Sequence, residues 1–588
     1  MERPYRHMGR PAIITLAVLL LLVGPSLAHQ ATAIPDYGGG LPPQHQPHQA
    51  HPHNESAAVD QPSSHGPSYF SHPDHAGLIY AHIALMVLSW VGVLPVAVML
   101  SLSKSEHTLA LQFVFLATNV AAVLSAVLYN AKTPDLYPNN AHHKIGWVVT
   151  CVAFAQAFIN LLSKVRPRAR AWHSKETLNY TPVSSVPTDG VYRLSNDSGQ
   201  GTEPSTESLC SISLSTHGGS GDGLLLPRHG PVADHYRAAA GNTRRAFLSS
   251  LDDPPSLGAS TALWRIWKFL RLLSRITDRV ILPLGSVVLL TGIATFGRFF
   301  EGAGIFSGLA HWIKGGVFLW LGLFTLGRWS GSFAELGWAW NLRPPSAQRR
   351  NLPSAEFVES ALIFFYGITN IFLEHLGGWG GEWTAQDLQH VGISAWFLGG
   401  GLCGMLVEST SIRRLLNAPV SKVLLDDPCP DEERQRQTTT PATYRFSMNP
   451  IPALVILLLG KMVSSHHQTS MVATMLHKQW GGLLMGASIA RGLSYVLLFL
   501  RPPQSSLPSR PPTELLASFG LIAGGIIFMT SSAGTITAME NSDLDAMFMY
   551  TITMGVVGLL MAWEIVVLAI KGWASRVERH PASLATTS

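Results

Sequence analysis

Charged side chains are scarce in this sequence. Only 13% of its 588 residues are Asp, Glu, Lys or Arg, against roughly 25% in soluble domains. The basic excess is also small, because 41 Lys and Arg stand against 36 Asp and Glu for a formal net charge of +5. The composition therefore argues against a soluble enzyme, and no nucleic-acid partner is expected.

Cysteine is rarer still, and the common catalytic loops are missing. The four cysteines, Cys151, Cys210, Cys403 and Cys429, have no metal-finger or paired redox spacing, which argues against a zinc ribbon or a disulfide framework. The sequence has no phosphate-binding loop of the Gly-x-x-x-x-Gly-Lys-Ser/Thr type and no nucleophile elbow. The 24 histidines are the remaining candidates for chemistry.

Long apolar runs are what the chain has in abundance. Eleven of them have the length and hydropathy of membrane-spanning helices, so we predict an all-α polytopic membrane protein embedded in a lipid bilayer. The predicted spans are 77–101, 107–130, 143–163, 280–300, 305–327, 354–375, 387–407, 449–466, 480–500, 514–533 and 546–570. Lys and Arg collect in alternate loops, which predicts a lumenal or extracellular N-terminus and a cytosolic C-terminus.

The N-terminus has the pattern of a secretory signal peptide. Three arginines precede an apolar run from Ala12 to Val23, and Ser26-Leu27-Ala28 is a small-x-small cleavage pattern. An uncleaved first membrane helix is the alternative. Either assignment places the protein in the secretory pathway, in an endomembrane or the plasma membrane.

Composition divides the rest of the chain into membrane units and polar segments. We expect the His-rich and Pro-rich lumenal segment and the Ser/Gly-rich cytosolic linker to be disordered. The predicted order is a signal peptide (1–28), the lumenal segment (29–75), a three-helix unit (76–168), the linker (169–262), a larger transmembrane domain of about eight spans (263–575) and a cytosolic tail (576–588).

Histidines and acids gather at the lumenal ends of the predicted spans. Ionisable groups at bilayer depth are costly and often mark a functional site. Asp387 and His390 are one turn apart on one helical face. The candidate ligands for zinc, iron or copper are Glu374, His375, Asp387, His390, His466, His467 and His477. Their spacing follows no strict metal motif, so interfacial histidines that hydrogen-bond loop carbonyls are an alternative.

The three-helix unit carries a more specific pattern. His82 begins a His-x-x-x-Met segment followed by Trp90 and Pro95, and two helices later come His143-Lys144-Ile145-Gly146, Gln156 and Arg166-Pro167. This pattern resembles the cytochrome b561 and ferric-reductase-like transmembrane family. The resemblance implies that His82 and His143 are the axial ligands of a haem b. Gln112 stands where that family brings a histidine to a second haem, which implies a single haem.

The larger domain carries a second resemblance. Its motifs are Glu356-Phe357 with Glu359, Tyr366-Gly367, Glu374-His375, Trp383-Thr384 and Asp387-Leu388-Gln389-His390. Together with the order of the segments, they resemble the fungal Ytp-type family of integral membrane proteins. That resemblance implies an endomembrane or surface protein and brings no proven activity.

Four functions are compatible with these patterns. The first is haem-dependent electron transfer or metal-ion reduction at the lumenal face, by a b561-like transmembrane oxidoreductase with a separate electron donor. The second is metal-ion or proton transport past Glu356, Glu359 and Asn370, which requires these side chains to face the interior beside His390 and His466. The third is a metal-dependent hydrolase, which requires three converging imidazoles. The fourth is a structural membrane protein without a cofactor.

Two basic residues lie inside predicted spans. Arg491 and Lys461 are each interpreted as a counter-ion for a buried acid such as Glu564, or as side chains that reach the interface.

Overall fold

The apolar runs of the sequence form helices. The computed structural model describes residues 68–174, 261–301, 304–340, 352–373, 382–426, 446–465, 470–503 and 507–577, with the single residues 468 and 505. The regular secondary structure in these ranges consists of α-helices, a π-helical turn and a 3-10 turn. Nine helices there are long and apolar enough to cross a membrane. The chain is therefore an all-α polytopic membrane protein, and the predicted fold class is confirmed.

Each predicted span corresponds to a helix. The helices are α1 (Ala76–Leu102), α2 (Thr108–Lys132), α3 (Ala141–Ser174), α4 (Thr261–Phe296), α5 (Gly304–Ser330), α6 (Ala355–Leu373), α7 (Ala385–Glu408), α8 (Thr410–Asp426), α9 (Ile451–Ser464), α10 (Met471–Leu500), α11 (Pro512–Thr530), α12 (Ala533–Glu540) and α13 (Ala546–Val577). The signal peptide and most of the two polar segments lie outside the described residues. The stretch between the predicted spans 387–407 and 449–466 contains α8.

Contacts divide the chain into two compact units. The first comprises Met1–Phe154 and Asp278–Ser588, and the second comprises Ala155–Thr277. Within the second unit, the Ser274 hydroxyl donates a hydrogen bond to Asn160 Oδ1 at 3.1 Å. The first unit contains helices from both predicted membrane domains.

Helices from the two predicted membrane domains pack against each other in the first unit. A π-helical turn, Leu88–Val93, interrupts α1, and the Val91 carbonyl in that turn accepts a hydrogen bond from Trp563 Nε1 of α13 at 2.8 Å. At the other side of the unit, the Tyr137 hydroxyl donates to the Phe299 carbonyl at 2.6 Å. Burial raises the pKa of Tyr137 above its usual value. These contacts join the three-helix unit to the larger domain.

Glycine allows close approach between α5 and α11. A Cβ atom on Gly315 would lie 2.5 Å from the Gly525 carbonyl oxygen, and one on Gly322 would lie 2.5 Å from an Ile522 side-chain carbon. Rising residue numbers on α5 meet falling numbers on α11, so the two helices are antiparallel. The glycine pairs of this sequence therefore serve helix packing, as membrane interfaces with small residues do.

The antiparallel packing gives the first unit two chemically different ends. One end, where α1, α3, α5, α7 and α10 begin, contains the histidines near the beginnings of these helices; we call it the histidine end. Its histidines are His82, His142, His143, His311, His390 and His477. At the other end α5 finishes and α6 and α11 begin, which brings Arg328, Glu356 and Glu514 close to one level; we call it the charge end.

Candidate functional site

His82 of α1 is held by a hydrogen bond to the neighbouring helix. Its Nδ1 lies 2.9 Å from the Ala122 carbonyl oxygen of α2. Because a carbonyl oxygen only accepts, Nδ1 carries the proton and donates it to this bond. The neutral ring then presents the lone pair of Nε2, the usual state of a metal-binding histidine whose other nitrogen is oriented by a carbonyl.

His142 at the start of α3 is oriented in the same way by α4. Its Nδ1 lies 3.2 Å from Thr291 Oγ1, and that hydroxyl donates its own proton to the Val288 carbonyl at 2.9 Å. The hydroxyl therefore accepts from His142 Nδ1–H, which again leaves the Nε2 lone pair available. Gly292 makes room for the ring, because a Cβ there would lie 3.0 Å from His142 Cε1.

The imidazole rings of His82 and His142 lie in edge-to-face contact. Their centroids are 6.3 Å apart, and the ring planes are 73° from parallel. An imidazole nitrogen lies about 2.0–2.1 Å from the zinc it binds, so two imidazoles on opposite sides of one metal have centroids roughly 6 Å apart. The centroid separation of the pair matches that value.

His143, the predicted partner of His82, points elsewhere. Its ring is exposed and packs edge-on against Trp147, with centroids 6.5 Å apart. Neighbouring residues of an α-helix differ by about 100° in direction, so only one of two adjacent histidines faces the interior. The structure brings His142 to His82 and does not bring His143 there.

The predicted metal-ligand set is not assembled among the described residues. Glu374, His375, His466 and His467 lie outside them. The Asp387 carboxylate accepts hydrogen bonds from the Thr384 backbone N–H at 2.9 Å and from its hydroxyl at 2.8 Å, which caps the start of α7. In the part of the chain that the structure describes, no three His, Cys, Asp or Glu side chains are placed to hold a metal ion.

His477 and His390 have separate surroundings. His477 was predicted to precede the ninth span, but α10 begins at Met471 and buries this residue. Its Nδ1–H donates to the Ala473 carbonyl at 2.8 Å, and its ring lies 6.1 Å from that of His311. The His390 carbonyl accepts a hydrogen bond from Ser394 in α7.

A second polar site lies at the charge end, inside the bundle. Five charged side chains from four helices meet there, and each is only 0% to 7% exposed. The shortest contacts are Arg328 Nη2 to Glu356 Oε1 and Arg491 Nε to Glu514 Oε2, both 2.8 Å. Glu359 lies 3.6 Å from Arg328 and 3.5 Å from Arg491. We call Arg328, Glu356, Glu359, Arg491 and Glu514 the charge cluster.

Polar and aromatic neighbours complete the charge cluster. The Trp340 ring packs over Arg328, with the guanidinium carbon 4.6 Å from the ring centroid. The Trp338 carbonyl accepts a hydrogen bond from Arg328 Nε at 2.8 Å, and Thr325 Oγ1 accepts one from Arg491 Nη2 at 3.0 Å. The cluster is therefore enclosed by protein on several sides.

The sequence indicated only part of this cluster. Arg491 is a counter-ion for buried acids, but its partners are Glu514 and Glu359 rather than Glu564. Arg328 directly follows the predicted span 305–327, and Glu514 is the first residue of the predicted span 514–533. A charged residue within one turn of a span end is typical of interfacial residues, so nothing local in the sequence distinguishes these two.

The acids of α6 face the bundle interior but lie far from the histidine end. Asn370 is the α6 residue near His390, since its Nδ2 donates to Ser394 Oγ at 2.6 Å and Ser394 lies one turn from His390. Fourteen residues of helix, about 21 Å, separate Glu356 from Asn370. Glu356 and Glu359 thus face the interior, as the transport hypothesis requires. They do not lie beside His390, which that hypothesis also requires.

Comparisons with known proteins give a consistent similarity over most of the chain. Residues 284–572 match the family described as Protein YTP1-like, C-terminal, and residues 63–166 match a domain of unknown function, DUF2427. The uncharacterized membrane protein C3B8.06 of Schizosaccharomyces pombe is 33% identical over 512 residues, which cover 84% of this chain and 94% of that protein.

Two proteins of Saccharomyces cerevisiae are also similar. The uncharacterized membrane protein YCR061W is 33% identical over 551 residues, covering 86% of this chain and 84% of its own. Protein YTP1 is 24% identical over 177 residues, 30% of each chain. No solved structure matches.

Proposed function

This chain belongs to the YTP1-like family of fungal membrane proteins, and we propose that it transfers single electrons through a b-type haem held by His82 and His142. His82 and His142 would hold the haem, which would supply one-electron chemistry when bound. The Ala122 carbonyl and the Thr291 hydroxyl orient the two imidazoles. The observation that carries the proposal is the pair of imidazoles with centroids 6.3 Å apart, each with its Nδ1–H donated to a neighbouring helix.

The surroundings of the pair support a cofactor rather than a chance contact. Both histidines are partly buried at the start of membrane helices, where a polar ring needs a partner. Their orienting groups come from two further helices, Ala122 of α2 and Thr291 of α4. Four helices thus converge on the pair. The likeness of residues 76–168 to cytochrome b561 is in keeping with this arrangement, with His142 in place of the predicted His143.

The charge pattern of the sequence suggests where the electron goes. Lys and Arg collect in the loops at the charge end, which assigns the histidine end to the lumen or the cell exterior. We place the electron acceptor at that face, and an oxidised metal ion is the acceptor class that the preceding His-rich segment 29–75 would attract. The donor is a separate molecule.

The experiment is a reduced-minus-oxidised visible spectrum of the full chain, purified after expression with excess haem. Three variants are compared: His82→Ala, His142→Ala and, as a matched control one residue away, His143→Ala. We expect a b-type α-band in the wild type and in His143→Ala, and no such band in the other two.

Each other outcome has a definite meaning. A band that disappears in His143→Ala and persists in His142→Ala would show that the originally predicted pair binds the haem. The absence of any band from folded, haem-supplied wild type would refute the electron-transfer function. The transport, hydrolase and structural interpretations would then be the ones to pursue.

A second candidate function, proton or cation transport, is favoured by the charge cluster. Glu356 and Glu359 are buried in the interior of a membrane bundle, and ionisable residues in that position often belong to ion paths. We place its ion-binding site at the charge cluster, because His390 lies at the opposite end of the bundle from these acids.

A further inference from the structure

The charge cluster contains one more acid than it has bases. Two arginines, Arg328 and Arg491, face three glutamates, Glu356, Glu359 and Glu514. If all five groups were ionised, the cluster would carry a formal charge of −1 in the interior of the bundle. An uncompensated charge in such surroundings is strongly unfavourable, and a buried acid relieves it by keeping its proton.

The distances identify which acid is in excess. Arg328 is paired with Glu356, and Arg491 is paired with Glu514, each at 2.8 Å. Glu359 lies between the two pairs, 3.6 Å from Arg328 and 3.5 Å from Arg491. Both arginines are thus already neutralised by a closer carboxylate, and Glu359 is the fifth, surplus group.

Four helices contribute the titratable groups that lie around Glu359. Arg328 belongs to α5, Glu356 to its own helix α6, Arg491 and Tyr495 to α10, and Glu514 to α11. Two of these neighbours are cations and two are carboxylates, so their charges cancel around Glu359. A protonated Glu359 leaves the whole cluster neutral.

We infer that Glu359 is a proton-binding site that is occupied at neutral pH, inside a cluster that exchanges this single proton. The inference deepens the transport candidate, because it names the bound species as a proton and the acid that carries it. Only its use in transport rests on that candidate. The proton would reside on Glu359 whether or not the protein holds a haem or moves an ion.

Infrared difference spectroscopy of the full chain in lipid nanodiscs tests this directly. The spectrum of Glu359→Gln is subtracted from that of the wild type at neutral pH, so that only the signals of Glu359 remain. We expect the C=O stretching band of a protonated carboxylic acid. The two bands of an ionised carboxylate in that difference would overturn the inference.

Changing the charge balance provides a sharper second test. In a Glu514→Gln background two arginines face two glutamates, so Glu359 should become ionised. We expect the same subtraction in that background to show carboxylate bands instead of the acid band. A protonated Glu359 in both backgrounds would contradict the charge counting.

Glu408→Gln serves as the matched control. Glu408 lies on α7, its side chain is buried, and it is paired with Arg413 at 3.2 Å. The difference spectrum between the wild type and Glu408→Gln should show carboxylate bands. Introducing Glu408→Gln should leave the carboxylic acid band of Glu359 unchanged. Glu359→Gln should also keep the wild-type melting temperature, since glutamine is close in shape to protonated glutamate.

The same samples separate the site from its use. A protonated Glu359 in a protein that moves no protons or metal ions across vesicles would refute transport and leave the site intact. An ionised Glu359 would refute the site itself.

Discussion

Removing Arg491 alone should destabilise the bundle strongly, because it leaves the buried Glu514 carboxylate without its base. Arg491 lies 2.8 Å from Glu514. With an effective dielectric constant near 20, this separation corresponds to a gross attraction of about 6 kcal/mol. Part of this is offset because the guanidinium no longer has to be desolvated, and because an abandoned acid can take up a proton.

The net effect is therefore smaller than the gross attraction. Breaking a buried pair by removing one partner costs about 3–5 kcal/mol, and we expect Arg491→Met to lose that amount of stability. In contrast, Arg491→Met combined with Glu514→Leu removes one whole pair. Replacing a buried pair by apolar groups is neutral or stabilising in many proteins, so the double variant should recover most of the loss.

The assay is thermal unfolding of the full chain in detergent. Unfolding is measured as the loss of the fraction of protein that remains monodisperse after heating. The single variant should melt well below the wild type, and the double variant should melt close to it. A single variant within about 1 kcal/mol of wild type would refute the reasoning. So would a double variant as unstable as the single one, because the two residues would then not act as a pair.

Three further tests address the packing of α5 against α11, the hydrogen bond of Trp90 and the orientation of the second imidazole. Gly315→Ala should cost about 1–3 kcal/mol of stability by overpacking α5 against α11. Gly316→Ala should be neutral, since a Cβ there meets nothing within 4 Å, and equal melting temperatures of the two variants would argue against the close contact. Asn119→Ala removes the acceptor of the 2.9 Å hydrogen bond from Trp90 Nε1 and should cost about 1–3 kcal/mol in the same melting assay. Thr291→Val removes the hydroxyl that orients the second imidazole and should weaken haem retention by about 10–100-fold; unchanged retention on gel filtration would show that this hydroxyl has no such role.

The helices themselves were accessible from the sequence. A run of about 20 apolar residues has few alternatives to a membrane helix, because every backbone polar group must be satisfied within the lipid. The eleven predicted spans therefore coincide with helices. The hydropathy pattern does not indicate helix α8, because Arg413, Arg414 and Pro419 lower the hydropathy of this segment. Its apolar residues are nonetheless spaced as on one helical face, at Ile412, Leu416, Val420 and Val423.

The histidine pair could be predicted only to within one residue. His142 and His143 are adjacent, and hydropathy does not define the rotation of a helix about its axis. The resemblance to the cytochrome b561 family predicts His143 as the ligand. The packing of α3 against α4 instead turns His142 inward, where the Thr291 hydroxyl accepts a hydrogen bond from its Nδ1–H. The contact with Thr291 spans 149 residues of sequence, and no local pattern encodes it.

The charge cluster was the least accessible feature. Its contacts link α5, α6, α10 and α11, and the Arg491 to Glu359 contact spans 132 residues. Arg328 and Glu514 each lie within a turn of a helix end, where a single sequence does not separate an interfacial charge from a buried one. Arg491 lies well inside a predicted span, which predicts a buried acidic partner. The structure gives it such partners, Glu514 and Glu359, in place of Glu564.

The most direct test of the haem proposal is the electron paramagnetic resonance spectrum of the oxidised full chain, purified after expression with excess haem. Iron with imidazoles on both sides is six-coordinate and low-spin. We expect that low-spin ferric signal in the wild type and in His143→Ala, and its loss in His142→Ala. A folded wild-type protein without any ferric haem signal, or one whose signal is unaffected by His142→Ala, would contradict the assignment of His82 and His142 as the axial ligands.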